Sequence, residues 1–160
     1  MTKGFDGLVT YDEAQAMVSH SPEMEQALAK AAQLDFTMLT FKLMEDKGWT
    51  FEHCQEVQDL YRKFLALNVC YPDRKVCPTG PVDEFWHAHI LDTRAYMADC
   101  DTMFGQYLHH FPYFGLRGEA DRAALEKAFK ESVGLFIINF GIDPTAGDML
   151  ARSCSSQRCP

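Results

Sequence analysis

Apolar residues in this chain recur at intervals of three and four, and strict apolar–polar alternation is scarce. That rhythm follows the turn of an α-helix and leaves little room for half-buried strands, so the fold is predicted to be all-α. Helix signals divide it into a single-domain bundle of about five helices. A short helix fits 11–19. Ser21, Pro22 and Glu23 then read as a cap, a first-turn proline and a first-turn acid. The helix they open carries Met24, Leu28, Ala31, Leu34, Met38, Phe41 and Met44 along one side and is expected to run to Gly48. Thr50 caps a third helix with the stripe Phe51, Cys54, Val57, Leu60, Tyr61, Phe64, Leu65. The proline-rich "YPDRKVCPTGP" is a connection, a fourth helix is expected over 81–109, "HHFPYFGLRG" breaks it, and a fifth fits 119–139. Residues 1–141 are thus expected to form the domain. The small, polar stretch 142–160, with Cys154 and Cys159, is expected to be a flexible tail.

Composition narrows the function. The net charge of −8 is spread along the chain, which argues against nucleic-acid and anionic-membrane partners, both of which select basic patches. No run approaches the roughly 20 apolar residues of a membrane span, and the N-terminus lacks an apolar signal core. A cytoplasmic location is therefore expected. The six cysteines form no CxxC pair, so a regular structural zinc site is not expected.

The chemistry concentrates in "VDEFWHAHILDTRAYMADC", residues 82–100. A helix advances about 100° per residue, which sets His87 and His89 about 160° apart. Val82, Phe85, His89, Thr93, Tyr96, Cys100 and Phe104 form one stripe, while Asp83, His87, Ile90 and Arg94 form another. Asp83 and His87 stack one turn apart, a workable carboxylate–imidazole pair of metal ligands, and His109 and His110 follow where the helix is expected to break, either able to reach across as a third ligand. One carboxylate with two imidazoles suits an iron site with open positions, and the same atoms suit zinc. Simpler roles exist for each residue. Asp83 and Glu84 lie in a first turn, where acids complement the helix dipole. An Asp–His pair four apart also serves as a surface hydrogen bond. His89 is expected first as a core histidine bonded to Thr93 or Tyr96, and Cys100 as a small buried group. Glu84-Phe-Trp-His87 is an ExxH of the di-iron kind, but such bundles take that motif from two helices and this chain offers it once.

The run from "YRKFLAL" through "VDEFWHAHILDTRAYMADCDTMFGQYLHHFPYFG" resembles the glycine-rich domain-containing protein-like family. Its pattern, D-x-x-W-H-x-H, then Y-x-x-D-C, then a glycine with a histidine five later, falls here on Asp83, Trp86, His87, His89, Tyr96, Asp99, Cys100, Gly105 and His110. The likeness covers about residues 60–118 and is nearer to short bacterial members than to plant members with a long glycine-rich segment. It implies a site rather than a reaction, and it selects His110 over His109.

The leading expectation is a small helical metalloprotein, a metal-dependent enzyme with Asp83, His87 and His110 as ligands. Iron is favoured, zinc or copper are alternatives, and oxidoreductase chemistry is a natural candidate. His89, Tyr96 and Cys100 would be the reacting groups, or the buried residues that support the ligands. The substrate would be a small molecule or a peptide, and the chain's own C-terminal tail is one such peptide. Two alternatives stand beside this. The protein is a metal carrier or sensor using Cys154 and Cys159, or it is an interaction module with structural histidines and "FPYFG" as a docking loop, lid or core plug.

Overall fold

The computed structural model describes residues 20–146. The helix expected over 11–19 and the cysteines at 154 and 159 lie outside them. Among the described residues the chain forms α1 (Pro22–Ala32), α2 (Thr37–Lys47), α3 (Phe51–Cys70), α4 (Gly80–Leu91), α5 (Thr93–Phe104) and α6 (Glu119–Phe140), with no strand. The all-α expectation holds, and none of these helices is long and apolar enough to cross a membrane.

The third helix is the axis of the bundle. Thr50 caps it by accepting from the His53 amide at 3.1 Å, and its 20 residues span about 30 Å. Helices α1, α2, α4 and α5 all pack on it. Cys54, Val57, Tyr61, Phe64 and Leu65 are buried along the expected stripe, whereas Phe51 at its start faces solvent.

Two of the expected long helices are broken. The first, expected over 22–47, divides at residues 33–36. The Arg62 guanidinium donates to the carbonyls of Ala31 and Leu34, taking acceptors that a continuing helix would need. Phe36 turns inward beneath that guanidinium, 4.6 Å from ring centre to Cζ, and packs on Tyr61, Phe85 and His89. The Asp35 carboxylate then accepts from the Thr37 amide at 2.9 Å and starts α2. The break shifts the phase of the apolar stripe. Leu39 and Leu43 are buried on α2, while Met38 and Phe41, expected inside, are 75% and 61% exposed.

The second, expected over 81–109, divides at Asp92, where ψ of 73° leaves the helical range, and ends at Gly105. Residues 105–118 form a connection that the start of α6 ties down. Asp121 accepts from the amides of Gly115 (2.7 Å) and Arg117 (3.1 Å) and from the Arg117 guanidinium (2.8 Å). Gly115 has φ of +89°, and a Cβ there would lie 2.5 Å from Leu125 Cδ2, so any other residue would be strained and would displace that leucine. Phe114 is buried beside Cys77, Leu125 and Ala128 in a second small core, while Phe111 and Tyr113 stay exposed. The "FPYFG" run is therefore a plug at one residue and open surface at two. Helix α6 sends Leu135, Phe136 and Phe140 into the main core, and Ile142 just beyond it is buried there too.

Its bonds to the Arg117 guanidinium and the two amides push the Asp121 carboxyl down to about 2. A carboxyl held below its unfolded value of about 3.9 stabilises fully above that value and loses the effect as pH falls through its folded pKa. Asp121→Asn is therefore expected to lower the melting temperature at neutral pH, with the gap to the native chain narrowing between about pH 5 and about pH 2. A gap that stays constant across that range in circular-dichroism melts contradicts this role.

Candidate metal centre

Helix α4 opens with Gly80 and Pro81 and presents two chemical faces separated by its own geometry. On one face, Asp83 and His87 stand four residues apart, as the helical repeat requires. Beyond α5, the connection returns His110 to the same point. His87 Nε2 lies 3.0 Å from His110 Nε2, His110 Nε2 lies 3.2 Å from Asp83 Oδ1, and His87 Nε2 lies 3.3 Å from Asp83 Oδ1. The cluster could hold a metal ion.

Hydrogen bonds account for two of the three edges at most: with both Nε2 atoms protonated each ring donates to Asp83 and the two nitrogens meet at contact distance, and with one protonated the other nitrogen faces the carboxylate lone pairs. A cation attracts all three atoms at once. A point equidistant from atoms so spaced is about 1.8 Å from each in their plane and about 2.1 Å from each when lifted about 1 Å out of it, the length of a metal–imidazole bond.

The surroundings are lopsided. The Asp83 and His110 side chains are 11% and 8% exposed, that of His87 47%. The site is thus backed by the core on two sides and open beside His87. Burial pushes the His87 pKa down against the opposing pull of Asp83, which keeps its ring neutral and able to act as a ligand at neutral pH. Trp86 lies against His110 with ring centres 4.3 Å apart. Glu84 stays outside the cluster, half-exposed and 3.8 Å from Lys47, so its ExxH spacing is not used at this centre. His109 is exposed and packs on Tyr107.

The other face of α4 points into the core. His89 is 3% exposed and bonded at both ring nitrogens, Nδ1 to Tyr61 Oη at 2.7 Å and Nε2 to Asp99 Oδ2 at 2.8 Å. Burial lowers its pKa although Asp99 opposes this, so the ring is neutral. It therefore donates from Nε2 to the carboxylate and accepts at Nδ1 from the tyrosine. Neither partner is the Thr93 or Tyr96 expected from the stripe. Thr93 is exposed, and Tyr96 meets His89 only through a ring edge, centres 4.9 Å apart. The bend at Asp92 is the reason: it carries Asp99 back over His89, and the tyrosine that completes the pair comes from α3.

Tyr96 and Cys100 occupy the same buried region. Tyr96 Oη accepts from Trp86 Nε1 at 2.9 Å and donates to the Leu108 carbonyl at 2.5 Å. Burial raises the Cys100 pKa against the opposing pull of the Leu108 backbone and the Tyr96 hydroxyl, so at neutral pH it is a thiol rather than a thiolate. Asp83, His87 and His110 are thus brought together in one open cluster, and His89, Tyr96 and Cys100 into bonds beneath it. The residues that sequence patterns did not single out are Tyr61 and Trp86's role against His110. Tyr61 was visible only as one more apolar position on its stripe.

Tyr61→Phe keeps the packing and leaves His89 Nδ1 buried without a donor. It is expected to cost about 1–3 kcal/mol in urea unfolding; a loss well below that range would mean that water or another group replaces the tyrosine.

The comparisons correct one expectation. The model of the UCP032817-like family matches residues 26–150, far beyond the short motif on which the resemblance to the glycine-rich domain-containing protein-like family rested, and nothing supports that earlier likeness. A handful of matching positions on one helical corner is a local pattern, whereas the family match takes in the whole bundle. No curated protein and no solved structure matches the chain. The chain belongs to the UCP032817-like family.

Proposed function

We propose that this protein binds one divalent transition-metal ion through Asp83 Oδ1, His87 Nε2 and His110 Nε2, and that it is an enzyme working at that ion. The observation that carries this reading is the closed triangle of 3.0, 3.2 and 3.3 Å, three donor atoms converging at the spacing of metal ligands. Three protein donors with an open side match catalytic rather than structural metal sites, which close their shell with four. Two imidazoles and a carboxylate on one face favour iron(II), with zinc and copper as alternatives on the same atoms. When bound, such an ion supplies an open position for oxygen or for an activated water.

The chain's own residues do the rest. Asp83 balances part of the ion's charge. His87 borders the opening, where a small molecule or a peptide would enter. Trp86 closes the side of His110 away from solvent. His89, Tyr96 and Cys100 are engaged in buried bonds, and their part in this scheme is to hold the ligand-bearing elements in place.

The test is direct. Untagged protein prepared anaerobically is expected to take up one equivalent of Fe2+, Zn2+ or Co2+ per chain. Its melting temperature should rise with metal, since a ligand at about 100 times its dissociation constant stabilises the folded state by about 2.7 kcal/mol. Asp83→Ala, His87→Ala and His110→Ala should each remove that rise and weaken binding beyond the roughly 10–100-fold typical of losing an outer partner of a ligand. Native protein without stoichiometric uptake, or three variants that bind like the native chain, would sink the proposal.

A further inference from the structure

His110 is the one ligand of the proposed centre that no helix carries. Asp83 and His87 are fixed by α4, but His110 sits in the connection 105–118, past the glycine that ends α5. A ligand on a connection holds its place only if something grips the backbone beside it. Buried side chains of α4 and α5 supply that grip. The Leu108 carbonyl accepts from Tyr96 Oη at 2.5 Å, and Tyr96 Oη accepts from Trp86 Nε1 at 2.9 Å. The backbone two residues before His110 is thus held by α5. Trp86 also lays its ring against the imidazole, centres 4.3 Å apart. Trp86 and Tyr96 are both buried, so these bonds are shielded from competing water.

We propose that Tyr96, braced by Trp86, is a positioning residue for His110: the chain Trp86 Nε1, Tyr96 Oη, Leu108 carbonyl is a strut that presents the third ligand to Asp83 and His87. This rests on the metal reading for its consequence but not for its geometry. Tyr96 touches none of the ligand atoms and acts through the backbone of the connection. Its one hydroxyl proton is committed to the Leu108 carbonyl.

Tyr96→Phe removes the hydroxyl and keeps the ring. Two measurements test the strut. The first is Co2+ titration followed by visible absorption. Tyr96→Phe is expected to weaken binding by about 10–100-fold and to shift the spectrum towards that of His110→Ala. In a His110→Ala background the same change should have no further effect, because the residue it positions is gone. The second needs no metal: modification of histidines by diethyl pyrocarbonate, mapped by mass spectrometry. His110, shielded in the native chain, should react faster in Tyr96→Phe, while half-exposed His87 keeps its rate. Trp86→Phe, which keeps a ring over His110 but loses the N–H donor, should move both readouts in the same direction by a smaller factor and serves if Tyr96→Phe does not fold. Unchanged His110 reactivity overturns the strut, as does an equal loss of Co2+ binding in the presence and absence of His110. If the native chain binds no Co2+ yet Tyr96→Phe exposes His110, the metal reading fails and the strut stands.

Discussion

Everything at this centre depends on the corner at Asp92. Residues ten apart on a straight helix are separated by about 15 Å along its axis, yet Trp86 bonds to Tyr96 at 2.9 Å and His89 to Asp99 at 2.8 Å. Both bonds span ten residues, and both exist only because the chain folds back at one position. Neither glycine nor proline makes that corner. Cross-bonds between its two arms hold it, and the fold has moved the stabilisation from the break itself to the faces that meet across it. Tyr61 from α3 completes the arrangement by fixing His89 from a third direction. The corner is consequently anchored to the central helix.

The two neighbouring histidines of α4 show how a one-residue interval on a helix separates two tasks. His89 faces inward, neutral and doubly bonded, where a buried imidazole lacking either partner would be costly. His87 faces out beside Asp83, half-exposed, with its Nε2 directed at two other donor atoms. The same helix thus buries one polar set and leaves the other open beside His87. Three donor atoms converging at such an opening are the arrangement that the proposed ion would use.

Much of this was legible from residue spacing. The separation of His87 from His89 and the pairing of Asp83 with His87 follow from helical periodicity, and the end of the helical pattern brings His109 and His110 into reach; the choice between those two comes from the motif resemblance and not from spacing. The burial of Val82, Phe85, His89, Tyr96 and Cys100 follows the same rhythm. The breaks were not legible. At residues 33–36 the local pattern continues through, and only Arg62, nearly thirty positions later, withdraws the carbonyls. At Asp92 the apolar stripe also continues, with Thr93 as the single member that turns outward. Tertiary partners decided both, and periodicity has no means of reporting a partner that is distant in sequence. The partners of His89 were hidden for the same reason: one lies on another helix and the other is reached only around a bend.

The connection that carries His110 is gripped at Leu108 and again at Gly115, where the Asp121 carboxylate takes the amide. Between these fixed points Phe111 and Tyr113 project into solvent. His110 is therefore set by backbone anchors on either side, while the exposed Phe111 ring next to it meets Tyr113 and the cations of Lys75 and Arg117. Such a layout separates what must stay constant from what is free to diverge: the anchors hold the course of the chain through His110, and the two outward rings are open to replacement in descendants of this chain.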